Sequence, residues 1–295
     1  MGYAISSVSL LETAPSLGFA AKVARFRARL IDRLLAQTEG EAGAMAVALL
    51  TGARNLMAEE NQEAMRSAGL AHLLAISGLH IGLVATSVML VIRALLSLAP
   101  AIALRYPIKK IAAVVGLMAA LLYLAVSGAT IPTQRAFAMT AIVLIAIIID
   151  RLATTLRLVA VAVGLLLVSP DILLNVSFQM SFGAVIALGA FYEKMRGTRW
   201  LTGRRQSWLR SAAVYGAGVA MTSIIAGLAT GLIAAFHFNR YATWGLAANL
   251  VAVPIMALWI MPAAILTFVL LPFGLESFGL TLMQAGIELV LMTAH

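Results

Sequence analysis

Cysteine is absent from the 295 residues of this chain. Its absence removes disulfides, thiolate metal sites and cysteine nucleophiles together, and leaves the redox compartment unreadable. Charge is scarce as well. Asp, Glu, Lys and Arg make up 11% of the residues, against roughly 25% in soluble domains, while hydrophobic residues reach 62%. Such a composition predicts an all-α polytopic membrane protein, because a lipid-spanning segment must satisfy its own backbone. Histidine is rare too, with four in the chain. His72 and His80 would stand about 80° apart on a helix, a poor geometry for sharing a metal. No HExxH, clustered carboxylates or phosphate-cradling glycine loop occurs. Neither a metal nor a cofactor is therefore expected, and no residue is assigned a catalytic role. Carboxylates are missing from inside the apolar runs, since Asp150 and Asp171 flank them. Proton-relay coupling has little to work with.

What the chain does have is long apolar runs. Spans are expected at about 73–97, 111–127, 134–149, 156–168, 172–192, 212–236 and 244–271, seven in all. A full crossing needs ~20 residues, so 134–149 and 156–168 are short. Pro254 and Pro262 lie inside the last run and should kink or break it. Residues 1–71 read as an amino-terminal segment and 72–295 as the transmembrane core.

Within the amino-terminal segment, Met1–Ser16 shows neither the basic region nor the apolar core of a cleavable signal, and Tyr3–Leu10 is strand-like. From Phe19 to Leu35 the pattern is helical. Phe19, Val23, Phe26, Leu30 and Leu34 share one face, Lys22, Arg25, Arg29 and Arg33 line the next, and Arg27 interrupts the apolar side. A basic amphipathic helix belongs at a membrane surface, near a polyanion, or packed on the rest of the protein. Short helices follow at Glu41–Leu50, stopped by Gly52, and at Ala58–Ser67. The tail from Leu280 is helical in pattern.

The first apolar run opens on His72-Leu73-Leu74-Ala75-Ile76-Ser77-Gly78-Leu79-His80-Ile81-Gly82. As a helix it would carry Ser77, His80, Val84 and Ser87 on one face. Gly78 and Gly82 would offer a small-residue notch to a second helix. An ionisable group in a lipid-spanning segment marks a functional site by default. The plainer alternative is a neutral histidine hydrogen-bonded in a packed bundle. Ser77 and His80 also have the spacing of a nucleophile and its base, without an evident third group to orient them.

Loop charge sets an orientation. If the first span runs from outside to inside, Arg105, Lys109, Lys110, Arg151 and the cluster from Lys194 to Arg210 lie inside, against Arg135 and Arg240 outside. The positive-inside rule favours that arrangement, at the cost of placing the basic amino-terminal segment outside. Arg135 then falls in a first helical turn, where the helix dipole disfavours a cation and a phosphate would compensate it. Asn175 and Gln179 share a face of the fifth run, and Asn249 precedes Pro254 in the seventh. Ser77, His80, Gln179 and Asn249 are the polar residues expected to line a path or to lock the helices around it.

The His72–Gly82 stretch resembles the signature of the ComEC-type competence proteins, the inner-membrane channels of bacterial DNA uptake. Ala48-Leu49-Leu50-Thr51-Gly52 fits what that family places before it. Ser127-Gly128-Ala129 with Pro132-Thr133-Gln134-Arg135, Ser177–Ala184 and Leu246–Pro254 fit its later blocks in order. The resemblance implies a multi-pass channel in the bacterial inner membrane that passes single-stranded DNA during transformation. Its implied partners are single-stranded DNA, the lipid bilayer, other DNA-uptake machinery and a second copy of the chain as a homo-oligomer. Arg135 and Arg240 become the expected DNA contacts at the outer mouth, with Phe236, Phe238 and Tyr241 near the second. Family members often add an OB-like domain before this region and a metallo-β-lactamase-like domain after it. Here only Tyr3–Leu10 would remain of the first, and no HxHxDH pattern occurs. The alternatives are a transporter of a small or lipidic solute, and an intramembrane Ser–His hydrolase.

Overall fold

The computed structural model describes residues 18–74, 76–151, 174, 176–195, 208–239 and 244–294. Every regular element among them is a helix. The strand-like Tyr3–Leu10, the run at 156–168 and Arg240 lie outside the described residues.

The amino-terminal helices follow their local signals. α1 spans Phe19–Leu35, as its periodicity predicts. α2 (Gly40–Thr51) stops at Gly52, whose φ of 77° is left-handed and suits glycine. A 3₁₀ turn at Arg54–Leu56 and α3 (Glu59–Ser67) lead to α4 (Ala71–Leu74). These elements are not a detached appendage. Leu30, Leu34, Met45 and Leu49 share one buried cluster with Leu73, Ile81, Met256, Ile260 and Met283.

Five helical stretches among the described residues are long and apolar enough to cross a membrane. They are α5 (Gly78–Ser97), α7 (Ile108–Val126), α8 (Ile131–Ile148), the part of α10 (Trp208–Phe238) at 216–237, and the composite 245–273. α6 (Pro100–Arg105) is the turn between α5 and α7. α9 (Val176–Met195) has 20 residues, but Gln179 and Ser181 at its start and Glu193 and Lys194 at its end make it more polar than those five.

Two expectations need correction. The first run does not form one helix from residue 73. The chain leaves the helix after Leu74 and re-enters at Gly78, with Ser77 extended at φ −108°, ψ 178°, because a Ser–Gly pair starts a helix better than it continues one. The Gly78–Gly82 notch is not where helices meet closely. A Cβ on Gly82 would touch nothing within 4 Å, whereas one on Gly116 would stand 2.7 Å from the Ala85 carbonyl oxygen. α5 and α7 therefore close on each other through Ala85 and Gly116. At the prolines the last run leaves regular α-helix without ending. α11 (Gly245–Ile255) passes through a π-helical turn at Met256–Ile260 into α12 (Met261–Leu270) and a 3₁₀ turn at Leu271–Phe273. The wider turn lets the backbone pair again after Pro254, which cannot donate.

α13 (Glu276–Met292) returns along α12. Its glycines face the partner helix: Gly279 lies against Thr267 and Gly286 against Ile260 and Trp259, while Trp259 Nε1 donates to the Leu282 carbonyl at 2.8 Å. The end of α12 also meets the end of α7. The Tyr123 and Phe268 rings pack edge-on at 6.4 Å, and Arg33 Nη2 donates to the Leu271 carbonyl at 3.2 Å. Simple alternation of seven spans would send residue 271 to the opposite end from Gly128. The packing instead holds residues 268–271 at the α7–α8 end.

Candidate functional site

The polar residues singled out in the sequence collect at helix ends. Ser77 is the residue before α5, and His80 is the third residue inside it, 0% exposed. The two form a reciprocal cap: the Ser77 side chain accepts the His80 backbone N–H, and the Ser77 backbone N–H donates to His80 Nδ1 at 3.2 Å. Histidine here takes the place of the Glu or Gln of a capping box. An N–H donating to Nδ1 requires a lone pair there, so the ring proton of His80 sits on Nε2. Nε2 is buried with no hydrogen-bond partner among the described residues. Ser77 Oγ also lies 3.0 Å from Nδ1, the separation of a nucleophile and base. The same nitrogen is already engaged by the backbone, however, and among the described residues no carboxylate orients the ring. The contact is that of a helix cap.

The second helix end is the carboxyl terminus of α2, whose last carbonyls have no partners within the helix. Gly52 N–H donates to Ala48 O at 2.7 Å, Tyr123 Oη donates to Leu49 O at 2.7 Å, and Arg27 Nε donates to Thr51 O at 2.8 Å. α7 and α1 thus close α2 with a buried hydroxyl and a guanidinium. The approach is tight. A Cβ on Gly52 would collide with the Ser127 carbonyl oxygen and lie 3.5 Å from Ile76 Cδ1, and the Arg27 guanidinium lies against Gly128. Three of the blocks that carry the family resemblance therefore touch: Thr51-Gly52, Ile76-Ser77-Gly78 and Ser127-Gly128.

The third end is the start of α8. Gly128 and Ala129 turn through positive φ of 81° and 46°. Thr133 Oγ1 donates to the Thr130 carbonyl at 2.7 Å, and Gln134 Nε2 to the Ala129 carbonyl at 2.7 Å. Ala136 stands 4.0 Å from the position of a Gly78 Cβ, which sets this end beside the start of α5. Arg135 is half-buried and turned into the protein, with Nη2 donating to Ser181 Oγ of α9 at 3.4 Å. From there α9 continues the series: Gln179 Oε1 accepts from His237 Nε2 of α10 at 3.3 Å. Phe178 and Phe182, with ring centroids 4.3 Å apart, pack on Met139 of α8.

Of the site residues proposed from sequence, Ser77 and His80 sit together, and Arg135 reaches the helix that bears Gln179. Asn249 Oδ1 is buried without a hydrogen-bond partner among the described residues. Sequence reasoning missed Arg27 and Tyr123, which fasten the α2 terminus. The signal for Arg27 was its position on an otherwise apolar face. Tyr123 had one too, a lone hydroxyl in a run of Ala, Leu and Val. Among the described residues no group of three or more His, Asp or Glu could hold a metal.

These features define an all-α membrane protein whose motif residues close helix ends against one another at one end of a bundle. The chain belongs to the Competence protein family, whose family model matches residues 49–295. It is 28% identical over 267 residues to Recombination protein 2 of Haemophilus influenzae, covering 88% of this chain and 33% of that protein. It is 33% identical over 156 residues to Competence protein ComA of Neisseria gonorrhoeae, covering 51% of this chain and 22% of that protein. The chain thus spans about a third of the first relative's length and less of the second's. No solved structure matches.

Proposed function

We propose that this chain is the membrane-embedded part of a DNA-uptake machine, a multi-pass channel core of the bacterial inner membrane through which a single strand enters the cell. The observation that carries the reading is the convergence of the family blocks. Thr51-Gly52, Ser77–His80, Ser127–Arg135 and Ser181 lie in one connected series, with Gln179 and His237 at its far side. A path built between helices would be framed by such an end. The reading assigns the chain a transport role with no catalytic step, with other components of the machine and a second copy of the chain as candidate partners. The cavity lined by Glu39, Gly40, Glu41, Asn61 and Glu288 lies at the opposite end of α2 from these blocks and lends the competing small-solute transporter no support.

The test is an uptake assay in a host that carries the gene. Deleting it should abolish internalised labelled DNA while surface-bound DNA persists. Internalisation that continues unchanged would end the reading.

A further inference from the structure

Loop charge and the family resemblance point to Arg135 and Arg240 as first DNA contacts. Arg240 lies outside the described residues, and Arg135 is turned into the protein against Ser181. A better-exposed cationic surface stands next to the same helix ends, on α1.

α1 divides into two faces. Leu30 and Leu34 are buried in the shared core, at 4% and 1% exposure, and Arg27 is fixed to Thr51 O and Gly128. The adjoining face carries Lys22, Arg25 and Arg29, with Phe26 at its border with the apolar face, at i, i+3, i+7 and i+4, all exposed. Arg33 continues that row but is engaged by Glu276. Among the described residues Lys22, Arg25 and Arg29 have no carboxylate partner. The nearest acid on the helix, Asp32, lies toward the side of the row, and the contact Arg25 makes is from Nε to the Ala21 carbonyl at 3.3 Å. Phe26 is 52% exposed at the border of this row.

Two ligands are compatible with a basic helix: a bilayer surface and a polyanion. A helix that lies in a bilayer does so by burying a broad apolar face among the lipids. Here that face is already occupied by the protein core. What remains outward is three cations beside one aromatic ring, the combination that binds single strands without sequence preference. We infer that the Lys22–Arg25–Phe26–Arg29 face of α1 is the surface that first receives single-stranded DNA, beside the helix ends closed by Arg27. This inference rests on the channel reading above and names its receiving surface.

The experiment uses the full chain in phosphatidylcholine nanodiscs and an unstructured, fluorescent single-stranded oligonucleotide, with binding followed across a salt series. Each phosphate contact adds about 0.7 to the slope of log affinity against log salt for single strands. Replacing Lys22, Arg25 and Arg29 together with Gln should therefore flatten the slope by about 2. These side chains are exposed, so thermal unfolding should match wild type. Phe26→Ala should weaken binding about tenfold at every salt concentration and leave the slope alone, because stacking releases no counterions. If wild type binds with a steep slope and the triple variant keeps it, the surface assignment fails and the channel reading stands. If wild type shows no salt-sensitive binding, the channel reading itself falls. Adding phosphatidylglycerol to the discs supplies the lipid alternative. A wild-type slope that drops there to the value of the triple variant would mean that headgroups occupy α1, overturning the inference.

Discussion

His80 serves two ends of one imidazole, and substitutions at this position can separate them. Nδ1 accepts the Ser77 N–H and closes the first turn of α5, while Nε2–H is buried without a hydrogen-bond partner among the described residues. His80→Ala keeps the backbone half of the cap but strips the acceptor from a part-buried N–H, about 1–3 kcal/mol, and empties part of a packed site, about 2 kcal/mol or more. A total loss of roughly 4 kcal/mol is expected. His80→Gln keeps an acceptor able to reach back to the Ser77 N–H, as in an ordinary capping box, and should lose about 1 kcal/mol. The measurements are unfolding of the purified protein in detergent and internalised DNA per unit of inserted protein. If His80→Gln is as unstable as His80→Ala, or if Ser77→Ala costs nothing, the reciprocal cap is refuted. If His80→Gln folds normally but internalises no DNA, the Nε2 side of the ring carries a role in transport that packing does not explain.

Other outcomes follow from the same contacts. Tyr123→Phe leaves the ring against Phe268 but strips the Leu49 carbonyl of its donor, and should cost about 1–3 kcal/mol in detergent unfolding; no change would mean that α2 closes without α7. Beyond the last apolar run, the Arg33 hydrogen bond holds the Glu276 carboxyl at about 2, below its ordinary 4.5. The stabilisation by this pair is thus complete above pH 4.5 and lost as pH falls toward 2. Glu276→Gln should flatten that limb of the melting-temperature profile, and an unaltered limb would argue against it. Because the chain has no cysteine, single cysteines give a topology without background. Ser277→Cys should react with an impermeant thiol reagent from outside, and Tyr106→Cys only after permeabilisation. Labelling of Ser277→Cys from the inside alone would overturn the placement of the α12 end beside the α7–α8 junction.

Much of the helical architecture is legible in the sequence because hydrophobic periodicity is a local signal. α1 could be drawn to the residue, and α2 to within one residue at either end, since Gly52 is a stop that needs no knowledge of neighbours. The failures are all places where a neighbour decides. Gly78 and Gly82 have the spacing of a packing notch, but the close approach falls at Gly116, because a notch matters only where another backbone faces it. Alternation of spans predicts the side on which residue 271 lies, but the pairing of Phe268 with Tyr123 is a long-range contact that no loop charge encodes. In the site, Ser77 and His80 were legible as a pair, though as a stripe on a helix rather than as the cap that begins one. Both readings have the same i, i+3 spacing, and the extended backbone of Ser77 distinguishes them.

Arg27 shows why that last kind of information bears on function. In the sequence it is a blemish on an apolar face, the residue an idealised amphipathic helix would not have. In the structure it is a donor to the last carbonyl of a different helix, and it rests on the glycine that turns α7 into α8. Its position fixes the rotation of α1. Turning the helix by one residue would swing Arg27 off the Thr51 carbonyl and lift Leu30 and Leu34 out of the core. Neither loss is repaid by solvent, since the carbonyl and the leucines both need protein partners. The rotation that satisfies Arg27 is also the one that holds Lys22, Arg25, Phe26 and Arg29 outward. A single half-buried cation thereby orients three exposed ones, and sets them at the rim of the helix ends where the family blocks meet.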